Sequence, residues 1–319
     1  MKVAVQVVLY HSSRHLAPLL ESLQAQTYRD FDIWFWENSE DRDEAELSRA
    51  QIAASGLRAH FIIGEKNNGF AGAHQGMFMS HDAPCVMLLN DDAKLAPEYL
   101  ERVMRAMEAD QKIGSVTGLV YRLDGKTIDT TGLEYQSLGR IIDRGAGTLD
   151  APKEAGEVFG VSGAVGLYRR SAIEKSGGLF DPVWFMYKED ADLAIRLRRA
   201  GFISWYEPSA IAWHKRGLKE DKPGVMRRLM GERRRSPKLR EYAYINQHHL
   251  YTLHAHPKLG LADFLLSFFQ ELGRTFLVFV TSPRVWFGAV SKLATTLPRV
   301  WKRRHELEKL GLPHIRLRV

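Results

Sequence analysis

Three clusters in this chain carry residue types able to do chemistry. The first is Asn90-Asp91-Asp92, directly after the apolar run Cys85–Leu89. Adjacent acids at a strand end lie where a ligand would bind, and hard carboxylate oxygens suit Mg²⁺ or Mn²⁺. Such a metal neutralises a diphosphate and makes a nucleoside diphosphate a better leaving group. The competing reading is a turn with a helix N-cap, since Asp and Asn favour both. The second cluster is Glu189-Asp190-Ala191-Asp192, which follows Trp184-Phe185-Met186-Tyr187. A helix dipole alone favours acids in a first turn, and Asp192 with Arg196 has the spacing of a simple i, i+4 pair. Three acids in four residues beside large aromatics exceed what a cap needs. Asp190 is the better candidate for a catalytic base facing an aromatic-walled pocket. The third is Trp213-His214, where a lone histidine is more often structural than a ligand.

These clusters need elements to position them. Val3–Leu9 reads as a strand covered on both faces. A helix is predicted over 16–27, then a strand over 31–36, a helix over 44–55 and a strand over 60–63. A further helix opens at Gly69-Phe70-Ala71-Gly72-Ala73. Cys85–Leu89 is a strand, Lys94–Arg105 a helix, Gly114–Tyr121 a strand, and 124–152 loops and short strands. Val158–Arg169 is strand-like, Asp190–Ala200 a helix, and Phe202–Tyr206 extended. Alternating strands and helices predict an α/β layer fold with a mostly parallel sheet. Ligands bind beyond the carboxyl ends of such strands, where the polar clusters after Leu9, Trp36 and Leu89 fall.

Composition narrows the setting. With 319 residues, 45% of them hydrophobic, the chain is neither disordered nor too short for a large core. Its one cysteine, Cys85, excludes an intramolecular disulfide and a cysteine-based zinc site, and fits a reducing compartment. The net charge of +7 is unevenly spread. Residues 215–319 hold 22 Lys+Arg against 8 Asp+Glu, and the remainder 23 against 30. The basic part implies an anionic partner, either a membrane surface or nucleic acid. Leu261–Trp301 is apolar and helical in pattern, but its longest uncharged stretch, Thr275–Pro283, has 9 residues. A bilayer span needs ~20, so this region is expected to lie on a membrane rather than cross it. Its aromatics are not interleaved with the basic run, which argues against nucleic acid.

Together the segments resemble the family 2 glycosyltransferases, inverting enzymes of the GT-A fold. The likeness runs from Val5-Gln6-Val7-Val8-Leu9-Tyr10 through Leu19–Tyr28, Glu37-Asn38-Ser39 and Asn67-Asn68-Gly69-Phe70-Ala71-Gly72. It continues through Leu88-Leu89-Asn90-Asp91-Asp92, the family's DxD-like element, then Ser162-Gly163-Ala164 and Gly177–Asp181. Glu189-Asp190-Ala191-Asp192-Leu193 and His214 close it. The branch it looks most like is the rhamnosyltransferase and galactofuranosyltransferase-like one of bacterial surface polysaccharide.

The resemblance implies a mixed, Rossmann-like GT-A sheet flanked by helices over 1–215. It leaves 216–319 as a basic, helical, membrane-associating region. Tyr10, Glu37, Asn68 and Gly69 would form the nucleotide pocket, with Asp91 near the donor sugar or ribose. Asp92 and His214, with Asn90, would hold Mn²⁺ or Mg²⁺ on the diphosphate. Gly163 and Ala164 would line the donor sugar, and Trp184 and Glu189 the acceptor. Asp190 would deprotonate the acceptor hydroxyl. The implied donor is a dTDP-sugar or UDP-sugar, and the acceptor a glycan or lipid-linked glycan. The implied place is the cytoplasmic face of the inner membrane, peripherally bound, with a second copy of the chain as another cover for the apolar helices. Three departures stand out: Asn90 and Glu37 where Asp is common, and His74 where Asn is common. The chain also lacks the Gln-x-x-Arg-Trp element of processive synthases, which favours single additions. A nucleotidyltransferase would carry a Gly-rich, basic signature near the N-terminus, where this chain has Leu9-Tyr10-His11-Ser12-Ser13. A non-catalytic sugar-nucleotide-binding scaffold would have no need of Asp92, Asp190 and His214.

Overall fold

Val3–Leu9 (β1) is apolar at all but one position and buried on both faces, so it belongs in the interior of a sheet. The computed structural model describes residues 2–138, 140–181, 183–215, 236–256 and 260–314. After β1 come Ala17–Gln24 (α1), Phe31–Glu37 (β2), Arg42–Ala54 (α2), Ala59–Ile63 (β3), Gly69–Phe78 (α3) and Cys85–Asn90 (β4). These are the alternating elements the apolar runs predict, each within a few residues. Ala93–Leu95 (β5), Tyr99–Ala109 (α4), Ile113–Arg122 (β6), Ile128–Thr130 (β7), Leu133–Ser137 (β8) and Arg140–Asp143 (β9) follow. Then come Gly156–Val158 (β10), Val165–Arg169 (β11), Arg170–Lys175 (α5), Glu189–Arg199 (α6) and Ile203–His214 (β12).

The main sheet runs β10-β12-β6-β11-β4-β1-β2-β3, with β5 beside β12 and β7 beside β6. Strands β3, β2, β1 and β4 are parallel. Strand β11 enters antiparallel between β4 and β6, which makes the sheet mixed. Two expectations change. The helix predicted from Lys94 starts only at Tyr99, because Ala93–Leu95 pairs with β12 and Pro97 stands between. The strand-like run Val158–Arg169 is cut by a turn at Ser162-Gly163-Ala164, leaving β10 and β11 at its two ends. Strand β12 runs on to His214, past a register shift around Pro208. Proline cannot donate to a ladder and sits at such irregularities.

Pro237–His254 (α7), Leu261–Thr281 (α8) and Pro283–Lys309 (α9) complete the described chain. The basic stretch 216–235, including Arg233-Arg234-Arg235, lies outside the described residues. Helices α7 and α9 are not loosely appended. Leu250 and Leu253 of α7, with Val300 and Leu307 of α9, share one core cluster with Trp184, Leu193, Ile195 and Leu197. The core therefore continues across residue 215.

A buried polar knot ties this core together. Arg196 Nε donates to Asp192 Oδ2 at 2.9 Å, and its other nitrogens reach the carbonyls of Ser176, Gly178 and Leu179. His254 Nε2 of α7 lies 2.8 Å from Asp192 Oδ1. Burial opposes the charge on Asp192, yet Arg196 and His254 hold its carboxyl well below the usual carboxylate range. The i, i+4 spacing of Asp192 and Arg196 thus marks a structural pair. Removing one partner of a buried pair costs ~3–5 kcal/mol, so Asp192→Ala should lower the urea midpoint by a corresponding amount. A midpoint within error of wild type would show that the knot does not hold α7 to the core.

Candidate active site

Three strand ends and one turn build the site. Strand β4 runs into Asn90-Asp91-Asp92, and Asn90 N–H donates to the Ala164 carbonyl at 2.8 Å. The next residue back, Gly163, points its N–H at Asp190 Oδ2, 3.5 Å away. A Cβ on Gly163 would sit 3.2 Å from the Phe70 ring and 3.9 Å from Asp190 Cβ, so the turn passes close to both. Through this backbone, the acids after β4 and the acid opening α6 form one unit.

Asp190 lies half-buried in the first turn of α6, where its Oδ1 also accepts from Ala191 N–H at 2.7 Å. Burial raises its carboxyl above the ordinary value, while helix amides, Lys188 and Gly163 N–H favour the charged form. Glu189 beside it is buried, with Oε2 unpartnered. Burial, and then the charge on Asp190, push Glu189 up to about 8. The two carboxyls therefore titrate as a pair, both raised above their ordinary values, chiefly by burial.

His214, at the end of β12, meets the acids of β4. Its Nε2 lies 3.0 Å from Asp92 Oδ1 and 3.1 Å from Asn90 Nδ2. On the other side, His214 Nδ1 lies 2.8 Å from Asp129 Oδ2 of β7. A carboxylate behind the imidazole is the arrangement that orients metal-binding histidines. Burial opposes the imidazolium here, but its hydrogen bonds to the Asp129 and Asp92 carboxylates push His214 up to about 9. Asp92 Oδ1 is buried, with His214 Nε2 beside it. A buried hard oxygen next to an imidazole nitrogen fits a divalent cation of the Mg²⁺ or Mn²⁺ kind. Among the described residues, no group of three or more His, Cys, Asp and Glu side chains is placed to hold an ion alone. A cation here would need further oxygens, such as those of a bound diphosphate, to complete its shell.

The expected nucleotide pocket is assembled at the ends of β1 and β2. Tyr10 is 55% exposed, free to lie against a ligand. Glu37 is buried; its Oε1 accepts from Ser39 N–H at 2.8 Å, and Oε2 has no partner. Asn38 ties the pocket to α3: its Oδ1 accepts from Asn68 N–H, and its Nδ2–H donates to the Gly69 carbonyl. Gly69 has φ +70°, and a Cβ there would lie 2.2 Å from the Phe185 carbonyl oxygen, so only glycine fits.

One assignment needs correction. Trp184 is fully buried, edge-on to His249 of α7, and cannot wall an acceptor in this structure. Helix α7 lies over it; its neighbour Phe185 is only half-buried. The residue readings also missed Ser12, His15 and Asp129. Ser12 Oγ–H donates to Asp91 Oδ2, and His15 Nε2 lies 3.3 Å from the same oxygen. His15 titrates above its ordinary value, chiefly through that hydrogen bond. A polar stretch after β1 was the only signal for these two. Asp129 sat in a stretch read as loop and gave none.

Comparison with known proteins gives the family and the fold. Residues 5–177, more than half of the chain, match the family described as "Glycosyl transferase family 2". The N-acetylglucosaminyl-diphospho-decaprenol L-rhamnosyltransferase of Mycobacterium tuberculosis, in strains CDC 1551 and H37Rv, is 32% identical over 142 residues. That is 40% of this chain and 46% of the relative, so the chain spans about half the length of the curated relatives it matches. Among solved structures, S. aureus TarS 1-349 with UDP-GlcNAc has a TM-score of 0.58 at 16% identity, over 98% of this chain and 87% of that one. GalNAc-T7 with UDP, GalNAc and Mn²⁺ gives 0.56 at 13%, over 79% and 51%. The mannosyltransferase PcManGT from Pyrobaculum calidifontis, with GDP-Man and Mn²⁺, gives 0.52 at 14%, over 97% and 86%. The mixed sheet with flanking helices is the GT-A architecture these structures share. On the strength of a family match across more than half its length, the chain belongs to glycosyl transferase family 2.

Proposed function

We propose that the chain transfers a single sugar, with inversion, from a nucleoside-diphosphate donor to a hydroxyl of a lipid-linked glycan. The observation that carries this reading is the turn at Gly163-Ala164, which bonds Asn90 beside the acids of β4 and faces Asp190 of α6. An acceptor hydroxyl beside Asp190 gives its proton to Oδ, and the oxygen attacks the anomeric carbon. The bond from that carbon to the diphosphate oxygen breaks on the opposite face. Asp92 and His214, with Asn90, would hold Mn²⁺ or Mg²⁺, which offsets charge on the departing diphosphate. Tyr10, Glu37, Asn68, Gly69 and Asp91 would hold the nucleoside and sugar, and Glu189 would border the acceptor. The mycobacterial relative is named for rhamnosyl transfer, which makes dTDP-rhamnose one donor to test, and a UDP-sugar is the other. A polyprenyl-diphosphate glycan of bacterial surface polysaccharide is the acceptor class.

The proposed surroundings are an anionic lipid surface on the cytoplasmic side of the inner membrane. By length and composition, α8 is apolar enough to cross a bilayer, and only 11% of its most apolar window is buried. Its polar side, however, is committed to the protein. Ser137 Oγ–H donates to Gln270 at 2.6 Å, Tyr244 meets Thr275 at 3.0 Å, and Glu271 lies 3.3 Å from His248. The apolar side faces outward, with Leu261, Phe269 and Phe276 at 72%, 63% and 69% exposure. Monomers rarely leave such patches uncovered. A helix with its polar face on protein and its apolar face outward suits lying in the lipid interface. The 22 Lys+Arg of residues 215–319 supply attraction to anionic headgroups.

Four outcomes test these readings. In thermal melts with UDP, dTDP or GDP, a nucleotide at ~100 times its Kd should add ~2.7 kcal/mol, in Mn²⁺ or Mg²⁺ but not in EDTA. Asp190→Asn should keep that shift while losing ~10²–10⁴-fold in turnover of dTDP-rhamnose or the UDP-sugar; retention of a tenth of wild-type turnover would refute the base assignment. Because Asp190 must be ionised and its pKa is raised, kcat/KM should fall as pH drops, with the limb above the ordinary Asp value near 3.8. An acid limb at or below that value contradicts a buried base. Finally, Phe269→Asp with Phe276→Asp should abolish binding to anionic vesicles while leaving the melt cooperative. Unchanged partitioning, or a change in oligomeric state alone, would reject the lipid surface in favour of a second copy.

A further inference from the structure

The segment that leads into the catalytic helix is held in an unusual shape. Tyr187 and Lys188 both have left-handed backbones, with φ of 74° and 73°, directly before Glu189. Residues with side chains rarely adopt this conformation, and two in succession need outside support. That support comes from α7. Asn246, 1% exposed, donates from Nδ2 to the Met186 carbonyl at 2.7 Å and to the Tyr187 carbonyl at 3.0 Å. A carboxamide nitrogen carries two N–H groups, so one side chain can satisfy both carbonyls. Beside it on α7, Tyr242 stacks on Phe185 at 4.6 Å and 10°. The Phe185 carbonyl in turn accepts from Ala71 N–H at 3.4 Å, near the start of α3. On the far side, the Lys188 carbonyl accepts from Asp192 N–H at 2.9 Å and so starts the hydrogen bonding of α6.

We infer that Asn246 is a positioning residue for the transfer reaction: its amide holds Met186 and Tyr187 in the shape that aims Asp190 at the acceptor. The inference rests on Asp190 being the base. Asn246 touches neither substrate nor reacting atoms; it acts through the entry angle of α6. Its removal does not undock α7, because Leu250 and Leu253 remain in the core and His254 remains on Asp192. Backbone freed at 186–188 would relax toward ordinary φ, turning the first residues of α6. The donor pocket, built on β1, β2 and α3, would keep its shape.

The test compares Asn246→Ala, Asp190→Asn and the double variant Asn246→Ala/Tyr187→Gly in the full chain. Glycine adopts positive φ without strain, so Tyr187→Gly should restore part of what the missing amide held. Asn246→Ala should raise amide hydrogen exchange across 184–192 and cut kcat ~10- to 100-fold, as sub-ångström to ångström misplacement does. UDP or dTDP, whichever stabilises the wild type, should bind it with affinity unchanged to within about twofold, a loss confined to kcat. The double variant should recover turnover relative to Asn246→Ala. Wild-type kcat and exchange in Asn246→Ala, with Asp190→Asn inactive, would overturn the inference. So would nucleotide affinity falling in step with kcat, or no recovery in the double variant. If Asp190→Asn itself kept wild-type turnover, the base assignment would fail, and the exchange result alone would decide whether Asn246 holds the segment.

Discussion

The insertion of β11 antiparallel between β4 and β6 sets the position of everything at the site. Val165 pairs with Leu89, so the turn before it must stand beside the carboxyl end of β4. Thr117 Oγ–H of β6 donates to the Val165 carbonyl at 2.9 Å and fixes the strand from its other side. A register slip by one residue would turn every β11 side chain to the opposite face. It would also separate the Ala164 carbonyl from Asn90 and the Gly163 N–H from Asp190. The strand is buried at all five positions, so its side chains are packed on both faces in this register.

Much of this was legible in the sequence, for physical reasons that differ by element. Buried parallel strands read as apolar runs, so β1, β2 and β4 were located within a residue or two, and ligand chemistry was expected at their ends. Asp192 beside Arg196 was readable as a pair from spacing alone. Strand β11 was merged with β10, since a run rich in Val and Gly does not announce a turn. The resemblance implies an acceptor role for Trp184, and residue type cannot distinguish an aromatic that walls a cleft from one that fills a core. What decides the matter is α7, more than fifty residues later in the chain. Asp129 and His15 escaped for a related reason: each gains meaning only when a distant strand brings His214 or Asp91 to it.

The C-terminal helices combine two physical roles that the charge pattern alone presented as one. Helices α7 and α9 complete the core behind Asp190, and α8 leaves its apolar side uncovered while spending its polar side on the protein. That inversion explains why composition suggested a separate region. The basic and apolar residues describe the outer surface, while Asn246, Gln247, His249 and His254 face inward, all nearly fully buried. The catalytic unit and the proposed lipid-facing unit thus share α7, and neither is bounded by residue 215.

That sharing carries a consequence for how the protein is made. Arg303 of α9 lies 3.2 Å from Asp181, and Leu312 offers its carbonyl to Arg199 at 2.8 Å. The shell behind Asp190 is therefore closed by residues synthesised about a hundred positions after Asp190 itself. At ~5–20 residues per second on the ribosome, α6 waits several seconds with Leu193, Ile195 and Leu197 lacking their partners. During translation the nascent chain exposes a long apolar surface twice over, first behind α6 and then along α8. The first surface is covered only when α7 and α9 arrive, because their leucines and valine are its partners.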